Sequence, residues 1–117
     1  MRVRVMLYFG AKENEHLEDA EAETIGDQNI KKTFEWPVAP GRKDHIGLGE
    51  NPLEVWHVEH RMKEGVVEVM CNVSLGQAAM AFLEDETGWD MEELDNEGRA
   101  LLIQTARKIQ EHRREIP

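Results

Sequence analysis

Two histidines and a carboxylate lie close together in the middle of the sequence, at His57, Glu59 and His60. Zinc sites are built from such imidazole and carboxylate groups, provided that they converge on one point. The alternating apolar pattern around these residues predicts a β-strand, in which His57 and Glu59 share a face and His60 points to the other. The zinc motif H-E-x-x-H, which depends on helical spacing, is absent from the sequence. The sequence therefore predicts no metal site.

Two further stretches resemble binding motifs in part. The segment 93–98 has a glycine at its sixth position, as calcium loops do, but Glu93 and Gln104 stand where an aspartate and a bidentate glutamate are needed. The segment 47–52 lacks the third glycine of a dinucleotide loop, and Pro52 stands where its helix should begin. No complete nucleotide, metal or catalytic motif occurs, so we expect no cofactor and assign no catalytic residue.

Acidic residues are the one chemical group that the sequence concentrates. A stretch without lysine or arginine contains eight of them, namely Glu84, Asp85, Glu86, Asp90, Glu92, Glu93, Asp95 and Glu97. A second acidic run lies between residues 13 and 27. Such stretches form either solvated faces or an electrostatic docking surface for a basic partner. Trp89 and Met91 lie within the first stretch and are of the types that anchor interfaces, although we expect Trp89 to belong to the core.

The elements that would position these residues begin with strands. Alternation predicts strands over 2–9 and 66–73, and residues 53–62 are predicted as a strand with two apolar faces. The tight turn at 63–65 makes the strands 53–62 and 66–73 an antiparallel hairpin. A strand near 30–38 should lie at an edge or stop near Trp36, because Pro37 cannot donate to a sheet. A short apolar segment follows at 46–48, and a helix or a loop is expected near 17–22.

Helical spacing replaces alternation after residue 73. Ser74 and Gln77 form a capping-box pattern that opens one helix, and Gly88 is a candidate cap at its end. A second helix beginning at Asp90 or Asp95 should cover about 96–113. Strands followed by helices predict the α+β class, as a small, strongly bent antiparallel sheet followed by two C-terminal helices. The pattern of residues 38–73 is similar to SH3-like barrels.

Composition restricts the class of protein further. A chain of 117 residues fits one domain, which we place over 1–117. The formal net charge of -10 argues against direct binding of nucleic acid or of an anionic membrane. Cys71, the single cysteine, lies in an apolar alternating run and should be buried and unreactive. With no export signal or membrane span in the sequence, we expect the cytoplasm.

The leading functional hypothesis is a non-enzymatic protein that docks its acidic surface on a basic protein partner. One form of this hypothesis is an inhibitor whose carboxylates imitate the phosphates of nucleic acid. The binding residues would be the eight carboxylates of 84–97. Two alternatives remain open: a small enzyme with a spatially assembled site around His57, Glu59 and His45, and a structural assembly subunit that uses its C-terminal helix. The oligomeric state cannot be predicted from the sequence.

Overall fold

The structure, a computed structural model, describes residues 1–9, 28–48, 52–84 and 88–115. Within these ranges the chain forms five strands and then two helices. In chain order they are β1 (Arg2–Phe9), β2 (Gln28–Glu35), β3 (His45–Gly47), β4 (Pro52–Arg61), β5 (Val66–Asn72), α1 (Leu75–Glu84) and α2 (Asn96–Glu115). The segment predicted near 17–22 and the acidic run between residues 13 and 27 lie outside the described residues.

The strands form a curled half-barrel sheet in the order β2-β1-β5-β4-β3. The predicted α+β class, a small bent sheet followed by two helices, is confirmed. Three of the four neighbouring strand pairs are antiparallel, but β1 and β5 run parallel, so the sheet is mixed and not antiparallel throughout. Strand β1 is an interior strand with β2 on one side, and β5, which follows β3 and β4 in the chain, pairs with its other side in parallel.

Strand β1 is the centre of the core because its alternating residues bury one complete face. Val3, Val5 and Leu7 are fully buried there, and Phe9 is 1% exposed. Burying a side chain of this kind contributes about 1.5–3 kcal/mol. On the opposite face Met6 is also buried, so part of that face is covered as well. We call the side of the sheet that carries Val3 and Val5 the core face, and the other side the polar face.

The hairpin of β4 and β5 is confirmed as predicted, with a turn over residues 62–65 in which Gly65 has a φ of 65°. A register shift between Val55 and His57 interrupts the pairing of β4. Val55 lies opposite Cys71, and Val58 lies opposite Val69. Because directly opposed residues share a face, both valines point to the core face. Alternation along 53–62 predicts Leu53 and Val55 on one face and Trp56, Val58 and Met62 on the other. For Val58 this prediction is wrong, since a β-bulge inserts one residue and reverses the alternation.

Strands β2 and β3 form the two edges of the sheet, because they stand at the two ends of the strand order. Strand β2 stops at Glu35, directly before Trp36, as the nearby proline predicted. At its outer side, the backbone of Lys31 exchanges two hydrogen bonds with Asp90, of 3.1 and 2.7 Å. Strand β3 is only three residues long and pairs with β4 on one side.

The two helices close the core face and begin as the sequence predicts. At α1, the Gln77 amide donates to Ser74 Oγ at 3.1 Å, and the Ser74 amide donates to Gln77 Oε1 at 3.0 Å, which is the complete capping box. Helix α2 starts after Asp95, the second of the two predicted positions. Its buried residues Leu102 and Ala106 join the same core cluster as β1. In the described part of the chain, neither helix combines the length and the apolarity that crossing a membrane requires.

Candidate functional site

The acidic turn, which we define as residues 88–97, leads into α2 and is anchored at both sides. Its Asp90 backbone pairs with Lys31 at the edge of β2. Trp89 and Leu94 are 8% and 7% exposed and belong to the core cluster. The expectation that Trp89 is a core residue is therefore confirmed. Two buried side chains and a backbone bridge hold the turn against the body of the protein.

Short hydrogen bonds fix the conformation of the acidic turn between these anchors. Asp90 Oδ1 accepts from the Glu92 amide at 2.9 Å, and the Leu94 amide donates to the Met91 carbonyl at 3.1 Å. Asp95 Oδ1 accepts from the Gly98 amide at 2.7 Å, which makes Asp95 the N-cap of α2. Two of the eight predicted binding carboxylates thus have a structural role in shaping the turn.

The remaining carboxylates of the acidic turn face solvent. Glu92, Glu93 and Glu97 are exposed, and no ion pair to them is found within the described residues. Glu84 is also exposed but lies at the end of α1, whereas Asp85 and Glu86 lie outside the described residues. The structure therefore brings five of the eight predicted residues together on one turn.

Three cations from other parts of the chain lie beside the acidic turn. Lys31 Nζ is 4.0 Å from the Asp90 carboxylate, and Lys32 Nζ lies 5.9 Å from the centre of the Trp89 ring. Arg99 donates to the Met91 carbonyl at 3.3 Å. The sequence shows no cation between residues 84 and 97, so these neighbours are a product of the fold. Of the three, Lys31 lies within ion-pair distance of a carboxylate of the acidic turn, that of Asp90.

An aromatic row extends from the acidic turn along β2. The ring of Trp89 meets Phe34 edge to face with centroids 6.4 Å apart, and Phe34 stacks on Trp36 at 4.9 Å. Both contacts are within the range in which aromatic pairs attract each other. The row connects the acidic turn to a surface hollow of about 390 Å³ beside β3. One wall of the hollow is formed by residues 36 and 38–40, and the other by residues 44–47.

A buried carboxylate on the polar face was not singled out by the sequence analysis. The Glu68 side chain is 5% exposed and accepts hydrogen bonds from Arg61 and, at 3.3 Å, from Arg4. The sequence does contain an indication of this role, because Glu68 is the only charged residue in the apolar run 66–73. Tyr8 lies on the same face, and burial raises its pKa, with further contributions from the charges of Glu68 and Glu93 among others. Tyr8 therefore remains a neutral hydroxyl at neutral pH.

The residues of the alternative enzymatic hypothesis do not form a cluster. His57 and Glu59 are both exposed, and His45 lies at the sheet edge with its Nε2 3.9 Å from Glu54. Among the described residues, no group of three or more histidine, cysteine, aspartate or glutamate side chains is placed to hold a metal ion. Cys71 is fully buried, and burial raises its pKa to about 12, so its thiol stays protonated.

The chain was compared with family models, with curated proteins and with solved structures, and none of the three comparisons found a match.

Proposed function

We propose that this chain is a binding protein that docks its acidic turn on a basic protein partner. The observation that supports the proposal is the exposure of the Glu92 and Glu93 carboxylates on a backbone that is held in place. Both carboxylates are exposed and have no ion pair among the described residues, yet the backbone that carries them is held by hydrogen bonds on both sides. A charged group that is already in place loses little conformational entropy when a partner arrives.

Charge supports the same proposal at longer range. The net charge of -10 on 117 residues produces a negative field that attracts basic surfaces and accelerates encounter. In the inhibitor form of the proposal, the spaced carboxylates would occupy positions that phosphates take on a nucleic-acid-binding protein. Arginine and lysine side chains donate charge-assisted hydrogen bonds to the oxygens of carboxylates as well as phosphates, so such a substitution is chemically reasonable.

The test uses a pair of variants with equal charge change. Partners captured from a lysate are produced pure. Their dissociation constants are measured for the parent, for Glu92→Gln with Glu93→Gln, and for Glu64→Gln with Glu111→Gln, which lie outside the acidic turn. Both double variants remove two exposed carboxylates. Glu111, however, lies about 20 Å along α2 from Glu97, where the acidic turn ends, at 1.5 Å per residue. We expect the first variant to bind about tenfold more weakly, because two exposed charge pairs at about 0.7 kcal/mol each sum to about 1.4 kcal/mol. Equal affinities for the two double variants would show that the acidic turn is not the docking surface.

A second measurement separates specific docking from general attraction to cations. Association of a specific partner should slow as salt is added, while dissociation changes less. An unrelated basic protein should respond equally to both double variants. In the inhibitor form, the parent should also displace nucleic acid from the captured partner. Binding of the partner without such displacement would reject the inhibitor form and leave the docking proposal intact.

A further inference from the structure

The outer edge of β3 presents backbone groups that no described residue pairs. Val55 of β4 accepts from the Lys43 amide at 2.7 Å and donates to the Asp44 carbonyl at 2.8 Å. The direction of the backbone amide and carbonyl groups alternates along an antiparallel strand. The backbone groups of Leu53, two residues before Val55, therefore also point to β3, where Leu53 lies opposite Ile46. The amide and carbonyl groups of His45 and Gly47 therefore point away from β4.

The hollow of about 390 Å³ lies along this same edge, since its second wall is the continuous segment 44–47. Its first wall is the segment that follows β2, the other edge of the half-barrel. The hollow thus lies between β3 and the segment that follows β2. Its volume is within the range of about 300–1,000 Å³ that ligand sites occupy.

Apolar side chains line the hollow between these walls. Trp36 is half-buried and Ile46 is 5% exposed, while Val38 is 73% exposed and one of three large apolar residues that are open to solvent among those described. A hollow that is partly apolar, with Asp44 and His45 among its lining residues, beside a strand edge that no described residue pairs, combines the two elements of strand addition. The backbone groups supply affinity, and the side-chain hollow supplies specificity.

We propose that β3 receives an extended segment of the partner as an added strand, with an apolar side chain of that segment in the hollow beside Trp36. The inference rests on the proposed function, because it takes the partner to be basic. Charge favours this occupant over a second copy, since two chains of net charge -10 repel each other. The aromatic row of Trp89, Phe34 and Trp36 links the hollow to the acidic turn through ring contacts.

The test begins with Gly47, where an alanine variant is the control for a proline variant. A Cβ at Gly47 meets no atom within 4 Å, so the Cβ that both substitutions add is sterically accommodated. Gly47→Pro removes the outward amide, whereas Gly47→Ala retains it. The probe is a capped nine-residue peptide in which lysine alternates with valine and one central tryptophan. We expect Gly47→Pro to weaken peptide binding by about tenfold, near the upper limit for one hydrogen bond. Gly47→Ala should bind as the parent does.

Two further measurements keep the test independent of how the proline variant folds. On the unchanged protein, saturating peptide should slow hydrogen exchange of the His45 and Gly47 amides. Two peptides are N-methylated at alternate residues, one along each edge of the extended chain. The peptide whose methylated edge faces β3 should lose binding, and the other should retain it. Absence of binding, unchanged exchange at β3, or equal binding of both N-methylated peptides would each overturn the inference. A dimer in sedimentation that Gly47→Pro dissociates would also overturn it, because the occupant would then be a second copy.

The design also separates this inference from the docking proposal. Glu92→Gln with Glu93→Gln tests the acidic turn, and Gly47→Pro tests the β3 edge, both against the purified partner. If only the first weakens partner binding, the docking proposal stands and strand addition is rejected. If only the second does, the edge binds a partner and the acidic turn does not.

Discussion

Replacing Cys71 with alanine should remove most of the alkaline sensitivity of this protein. The thiol is fully buried, between Leu7 on β1 and Val55 on β4, and burial raises its pKa from 9.0 to about 12. The folded state therefore holds the thiol proton more tightly than the unfolded state does. Its contribution to stability is complete below about pH 9 and is lost as the pH rises to about 12. A pKa difference of this size corresponds to about 4 kcal/mol, or about 1.4 kcal/mol for each pH unit.

Urea unfolding between pH 7 and 11 measures this effect directly. The free energy of unfolding of the parent should fall by about 2 kcal/mol between pH 9 and 11, because the slope reaches about 1.4 kcal/mol for each pH unit only above pH 9. Cys71→Ala introduces a small cavity, which lowers stability by an amount that does not change with pH. The raised pKa of Tyr8 acts in the same direction near pH 10 and above, and the variant should retain that smaller loss. Parallel pH curves for parent and variant would refute the reasoning, as would reaction of the native thiol with Ellman's reagent at the rate of a free cysteine.

Two further predictions concern the polar face and the first helix. Glu68→Gln should lower the free energy of unfolding by about 1–2 kcal/mol, because it weakens charge-assisted hydrogen bonds to a buried carboxylate, while Glu59→Gln on the exposed side of the same network should change little in urea unfolding. Equal effects would show that burial of Glu68 is unimportant. Ser74→Ala should destabilise by about 1 kcal/mol through loss of the capping box, and an unchanged thermal midpoint would contradict the role of the 3.1 Å bond to Ser74 Oγ.

Local patterns in the sequence were sufficient for most of the element boundaries. The alternation in 2–9, the turn at 63–65 and the capping box of Ser74 and Gln77 all depend on residues close together in the chain, and each is present as predicted. The stop of β2 before Pro37 belongs to the same class, because proline acts through its own missing amide. Gly88 has a left-handed φ of 86°, but α1 ends at Glu84 and the residues between lie outside the described ranges. Its role as a cap stays a prediction.

Contacts between distant residues decided what the sequence pattern could not. The parallel pairing of β1 with β5 joins segments more than 60 residues apart, and no local periodicity specifies such a partner. The bulge in β4 places Val58 on the core face and not on the polar face. Pairing with β5, and not the alternation within β4 alone, sets that register. The acidic stretch was visible as a run of charge, yet only the fold placed Lys31, Lys32 and Arg99 beside it. Periodicity and capping act over a few residues, whereas strand pairing and charge compensation depend on which distant segments the collapsed chain brings into contact.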